Sequence, residues 1–210
     1  MDLPSITKIW VREKELEEVE GTLIRSRPQD IKELQKSTNF SRKELQKLYR
    51  TYKEATPSGY LTVDDFQKML GKFFPHGNSS RYASYIFENF QRSHQTRVTF
   101  DDVVKVLSVL AKGTQEEKLA WIFHLYDQDS DGLIKPIDVH RIITAVYSLL
   151  GPNIEPPLDS RQMINHTKRM FNKLDQDDDG VISQEEFIEA CLRDEDICQS
   201  LNSVSLFTMN

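Results

Sequence analysis

An all-α chain of four helix–loop–helix units, paired in two lobes with short β-bridges between loops, is the fold this sequence predicts. Three observations predict it. Two twelve-residue stretches, Asp127–Asp138 (DQDSDGLIKPID) and Asp175–Glu186 (DQDDDGVISQEE), place carboxylates at alternate positions before a glycine. Apolar residues flank each loop at spacings of three and four, as amphipathic helices require. Similar units recur every 35–50 residues or so, a period expected of stacked supersecondary repeats. The predicted organisation is a variable N-terminal segment with short helices (1–38), a first lobe (39–112), a second lobe (113–195) and a C-terminal helix or tail (196–210).

The loop Asp175–Glu186 has the chemistry of an EF-hand calcium loop. Asp175, Asp177 and Asp179 fall at positions one, three and five, Gly180 at six, Ser183 at nine and Glu186 at twelve. A hard cation taking six to eight oxygens suits carboxylates that converge from alternating positions. Gly180 permits the sharp turn, Val181 offers its carbonyl, Ile182 pairs with a neighbouring loop, and Glu186 is long enough to grip with both oxygens. The expected ligand set is therefore Asp175, Asp177, Asp179, Val181 and Glu186, for Ca2+.

The segments are justified in order. Residues 1–11 carry no period, and Trp10 belongs to a frayed terminus. Residues 12–26 read as a charged helix with Leu16, Val19, Leu23 and Ile24 on one stripe, ended by Pro28, and Ile31 and Leu34 start a short second stretch. Ser41 and Glu44 form a capping box before a helix with Leu45, Leu48, Tyr49 and Tyr52 on one face. The next loop, about Glu54 to Asp65, keeps Gly59 and Leu61 at positions six and eight. Thr56 and Pro57 replace its ligand-bearing turn, so a distorted, metal-free loop is expected. A helix around Tyr82–Phe90 leads to Gln91–Asp102. That loop offers Gln91, Ser93 and Gln95 where carboxylates belong and Thr96 where glycine belongs, so it too is expected to be empty. The next helix runs from about Phe100 to Leu110.

Thr114 and Glu117 make another capping box before a helix with Leu119, Ile122, Phe123 and Tyr126. The loop Asp127–Asp138 has a complete first half: Asp127, Asp129, Asp131, Gly132 and Leu133. Its second half is compromised by Lys135 at position nine, Pro136 and the short Asp138 at twelve. A divalent ion is expected on Asp127, Asp129, Asp131, Leu133 and Asp138, either Ca2+ held weakly or Mg2+, which suits a six-coordinate site. A helix to about Leu150, a Pro-rich connector at 151–159 and an apolar tail after Cys191 complete the chain.

Charge narrows the function classes. The two acidic loops hold ten acids and one lysine, a net of −9, against −6 for the whole chain, so the remainder sums to +3. The acidity therefore belongs to the loops, and no basic stripe marks a nucleic-acid partner. Five scattered histidines form no triad or zinc spacing, so an enzyme is not expected. Cys191 and Cys198 read as reduced thiols of a cytoplasmic protein. No apolar run approaches the roughly 20 residues of a membrane span. With Asp2 in place of glycine and no cysteine before 191, no direct lipid anchor is expected.

From about Leu16 onward, roughly nine-tenths of the chain, the sequence resembles the neuronal calcium sensor family. The resemblance rests on Thr-Pro in the first loop where the family has Cys-Pro, and on FFPHG at 73–77. Within the family it is most similar to the potassium-channel-interacting proteins, through NFSRKELQKLYR at 39–50, Pro57–Gly59, Tyr82–Phe87, GTQEEKLAWIFHLYD at 113–127 and Ile197–Phe207. It departs from them in the second loop, which lacks their acidic first ligand, and in the third, which lacks their glutamate at position twelve. The resemblance implies a calcium-sensing regulator that receives an amphipathic helix in an apolar groove. The implied partner is the cytoplasmic N-terminal helix of a Shal-class voltage-gated potassium channel, which would recruit the protein to membranes. A second copy of the chain is a further candidate partner. Phe66, Met69, Leu70 and Phe73 share one helical stripe and Phe100, Val103 and Leu107 another, and Leu48, Tyr52 and Trp121 join the lining by resemblance. With two metal-free loops, the first lobe is expected to stay open whatever the calcium level. The competing reading is that these residues are ordinary core. Other classes considered are a sensor acting on a membrane cyclase, kinase or exchange factor, a calcium buffer, and a DNA-binding repressor.

Overall fold

The computed structural model describes residues 31–91, 97–151 and 160–194, apart from the side chains of residues 91 and 160. The expected helix at 12–26, Trp10 in the frayed terminus, residues 92–96 of the loop expected to be empty, the connector at 152–159 and the C-terminal tail lie outside the described residues. Among the described residues the helices are α1 (Ile31–Ser37), α2 (Arg42–Ala55), α3 (Val63–Phe73), α4 (Ser80–Gln91), α5 (Phe100–Lys112), α6 (Gln115–Tyr126), α7 (Pro136–Leu150), α8 (Ser160–Leu174) and α9 (Gln184–Arg193). Two short strands, β1 (Leu133–Ile134) and β2 (Ile182–Ser183), pair antiparallel with Leu133 opposite Ser183 and Ile134 opposite Ile182. The chain is mostly helical, as expected.

Local chemistry starts most of these helices. Glu44 accepts the Ser41 N–H at 2.7 Å while the Ser41 hydroxyl accepts the Glu44 N–H, closing the expected capping box of α2. Thr114 and Glu117 do the same for α6. Three further boxes start α3, α5 and α9: Thr62 with Asp65, Thr99 with Asp102, and Ser183 with Glu186. Each joins positions nine and twelve of its loop. Such a cap contributes about 1 kcal/mol and needs no metal.

Within each half the first helix packs on the last and the second on the third: α2 on α5 and α3 on α4, then α6 on α9 and α7 on α8. Aromatic pairs lock these contacts. Tyr49 and Phe100 stand edge to face at 5.0 Å, Phe66 and Phe90 at 6.1 Å, and Phe123 and Phe187 at 5.8 Å. Such pairs are worth about 1 kcal/mol beyond the area they bury. In the N-terminal half the two loops meet through an antiparallel bridge between Leu61 and Val98. The distortion expected from Pro57 does not reach this part of the loop. Gly59 keeps φ +80°, close to the +84° of Gly132 and +86° of Gly180. The buried Tyr52 hydroxyl lies 3.2 Å from both the Gly59 and the Val98 carbonyl oxygens, holding the turn from inside. Burial pushes that phenol up to about 12.

The halves join through α4, which packs on α6 and α7, and through α5 against α6. The turn after α3 presses on the end of α7. Asn78 N–H donates to Ser148 O at 2.7 Å, and a Cβ on Gly77 would come within 1.6 Å of Leu149 O. Only glycine fits at that approach. Gly151 faces the same turn, where its own Cβ would meet His76 O at 2.5 Å. The FFPHG stretch, read from sequence as a family mark, thus joins the two halves.

The expected groove lining divides between core and surface. Leu48, Tyr52, Phe66, Leu70, Phe100, Val103 and Leu107 are buried in the hydrophobic core. Met69, Phe73 and Trp121 are half-buried and packed against that core. For seven of the ten, burial agrees with the core reading weighed beside the groove. Their periodicity reflects helices closing on one another, since a core stripe and a groove stripe share one spacing.

Candidate metal centre

The turn between α8 and α9 brings Asp175, Asp177 and Glu186 together, each offering a carboxylate oxygen within 4.8 Å of the others. Backbone amides shape the loop. Gly180 N–H donates to Asp175 Oδ2 at 3.2 Å, Asp179 N–H to Asp177 Oδ1 at 3.2 Å, and Val181 N–H to Asp179 Oδ1 at 2.9 Å. Asp179 thus lies in the loop but outside the tight cluster, and Val181 leads into β2. Glu186 divides its two oxygens. Oε2 accepts the Ser183 N–H at 2.8 Å and the Ser183 hydroxyl at 2.7 Å, and these bonds draw its carboxyl below the usual carboxylate range.

Glu186 Oε1 and Asp175 Oδ1 are both buried with no hydrogen-bond donor. A buried carboxylate oxygen without a donor is costly, and a cation is the group that satisfies it. The donor set is all carboxylate, the chemistry of a hard divalent ion. The residues of this loop fit such an ion.

The loop between α6 and α7 differs. Asp127, Asp129 and Asp131 form an equivalent cluster within 4.8 Å, but Asp138 is not part of it. Asp138 is 1% exposed, with Oδ1 accepting from Arg141 at 3.1 Å and Oδ2 from the Lys135 N–H at 3.0 Å. Lys135 Nζ donates to Asp129 Oδ2 at 3.0 Å and also to Asp131 Oδ2. Asp131 and Asp129 hold that ammonium above the ordinary lysine range. Leu133 begins β1, its N–H donating to Asp131 Oδ1 at 2.9 Å. The sequence marked Lys135 as a charge at position nine. It did not identify Arg141, whose only sequence signal is its place three residues beyond Asp138 on α7.

Two helix–loop–helix units, bridged at their loops and each carrying a carboxylate cluster, define a paired divalent-cation-binding module. Residues 116–192 match the family described as an EF-hand domain pair, which supports the EF-hand family for this half of the chain. Among the described residues no helix is long and apolar enough to cross a membrane.

Proposed function

We propose that the chain is a calcium-sensing regulatory protein with four EF-hand units in two lobes, of the neuronal calcium sensor kind. The observation that carries this reading is the Asp175, Asp177 and Glu186 cluster with two buried, donorless carboxylate oxygens. In it, Asp175, Asp177, Asp179, the Val181 carbonyl and Glu186 hold Ca2+, which supplies the positive charge those oxygens lack. Glu186 couples the ion to α9, because the same side chain caps that helix. The loop at Asp127–Asp138 takes Ca2+ or Mg2+ more weakly. The two N-terminal loops act as metal-free scaffold, bridged at Leu61 and Val98 beside Tyr52 and followed by threonine-capped helices.

The regulatory partner is an amphipathic helix, by resemblance the cytoplasmic N-terminal segment of a Shal-class potassium channel. Met69, Phe73 and Trp121, half-buried on the core, are the members of the expected lining left to receive it. Calorimetric titration tests both levels. Calcium should bind the full chain, and Glu186→Gln should weaken the tighter site by on the order of 100-fold, since ligand charge sets such affinities. The channel peptide should then bind with calcium and, more weakly or equally, with a chelator. Absence of peptide binding in both states would remove the channel reading and leave the calcium site standing.

A further inference from the structure

The two acidic loops differ in what already sits among their carboxylates. In the loop at Asp175–Glu186 none of Asp175, Asp177, Asp179 and Glu186 has a cationic side chain of the described residues within 4 Å, and position nine is Ser183. In the loop at Asp127–Asp138 position nine is Lys135, whose ammonium bridges Asp129 and Asp131. Arg141 engages Asp138 from the following turn of α7. Two cations thus engage three of the four acidic side chains of that loop.

We propose that Lys135 sets the ion affinity of this loop, as an intramolecular competitor whose ammonium holds Asp129 and Asp131 together until a divalent ion displaces it. An ammonium has three donors and one charge, enough to relieve repulsion between two carboxylates and to keep the turn folded. A divalent ion must break both contacts and then share the loop with a repelling cation. The loop consequently keeps its shape and its β1–β2 pairing without metal, and fills after its neighbour. This rests on reading the two loops as cation sites.

The test uses the full chain and calcium alone. Glu186→Gln silences the neighbouring loop, and Lys135→Gln is added to it. Removing a unit charge beside a divalent ion should tighten calcium binding about tenfold or more over Glu186→Gln alone. Lys135→Arg in the same background keeps the charge and should keep the weaker affinity. In chelator, Lys135→Gln alone should unfold at a lower temperature than the unsubstituted chain, and in saturating calcium at a higher one. Unchanged or weaker calcium binding in Lys135→Gln, or equal midpoints in chelator, overturns the proposal. If the unsubstituted chain binds no calcium at all, the cation-site reading fails, and the chelator midpoints still decide what Lys135 does.

Discussion

In the N-terminal half the paired loops meet at Leu61 and Val98 around the hydroxyl of Tyr52, with Thr62–Asp65 and Thr99–Asp102 capping the helices that leave them. In the C-terminal half the loops meet along β1 and β2 beside two carboxylate clusters, with Ser183–Glu186 as the equivalent cap. Helix pairing, loop bridge and cap are common to both. Among the described residues the halves differ in what gathers at the loops: the Tyr52 hydroxyl against the Gly59 and Val98 carbonyls in one, clustered carboxylates in the other. The Leu61–Val98 bridge and the threonine caps form without any carboxylate cluster beside them. In the C-terminal half the buried, donorless oxygens of Asp175 and Glu186 belong to one carboxylate cluster, which the described N-terminal loop residues do not form.

The comparison can be broken at three points. The largest effect should come from the cores. Phe66 in one half and Phe187 in the other are both 0% exposed, and truncation of either to alanine should cost about 3–5 kcal/mol. Denaturant titration of both variants checks this. Loss of stability in one half alone would mean that the halves fold separately despite the α4 contacts. A smaller effect tests the uncharged loop pair. Tyr52→Phe removes the hydroxyl shared by Gly59 and Val98 and should cost about 1–2 kcal/mol, without change in calcium affinity. A calcium effect equal to the stability effect would show that the bridges of the two halves are coupled.

The smallest is a pH dependence. Lys112, with the Ser41 cap, lowers Glu44 from 4.5 to about 2, across a 2.7 Å ion pair that ties α2 to α5. A carboxylate depressed in the folded state stabilises above its unfolded value and loses that contribution as pH falls through its folded value. The window therefore lies between about pH 4.5 and 2. Both side chains are partly exposed, so solvent screening leaves less than about 1 kcal/mol. Thermal midpoints of Lys112→Met and the unsubstituted chain should converge as pH falls through that window. A constant gap would assign the contribution to contacts of Lys112 other than Glu44, such as the Phe40 ring 4.9 Å from its ammonium.

How much of this could be read beforehand followed the range of the interactions. Loops, glycines at position six and the caps at Ser41 and Thr114 are local patterns and stood out. The caps at Thr62, Thr99 and Ser183 carry the same signature, but the loop pattern overlies it: Ser183 reads as position nine, and the two threonines go unmarked. The charge of Lys135 was legible as a departure. Its reach onto Asp129 and Asp131 depends on loop curvature. Core and groove could not be separated for Phe66, Leu70, Phe100, Val103 and Leu107, because periodicity reports a buried face without saying what buries it. The approach of Gly77 to Leu149 joins residues 72 apart in the chain. No spacing rule reaches that far.

That approach has a mechanical consequence. Most contacts between packed units involve side chains that change rotamer, so neighbours slide by small steps and adjust continuously. Gly77 and Gly151 set bare backbone against backbone, with the Asn78 N–H on Ser148 O beside them. Nothing in such a seam can swivel to absorb a displacement. A shift of α7 against this turn would therefore cost the close approach and its hydrogen bond together, where a side-chain contact would give way by degrees.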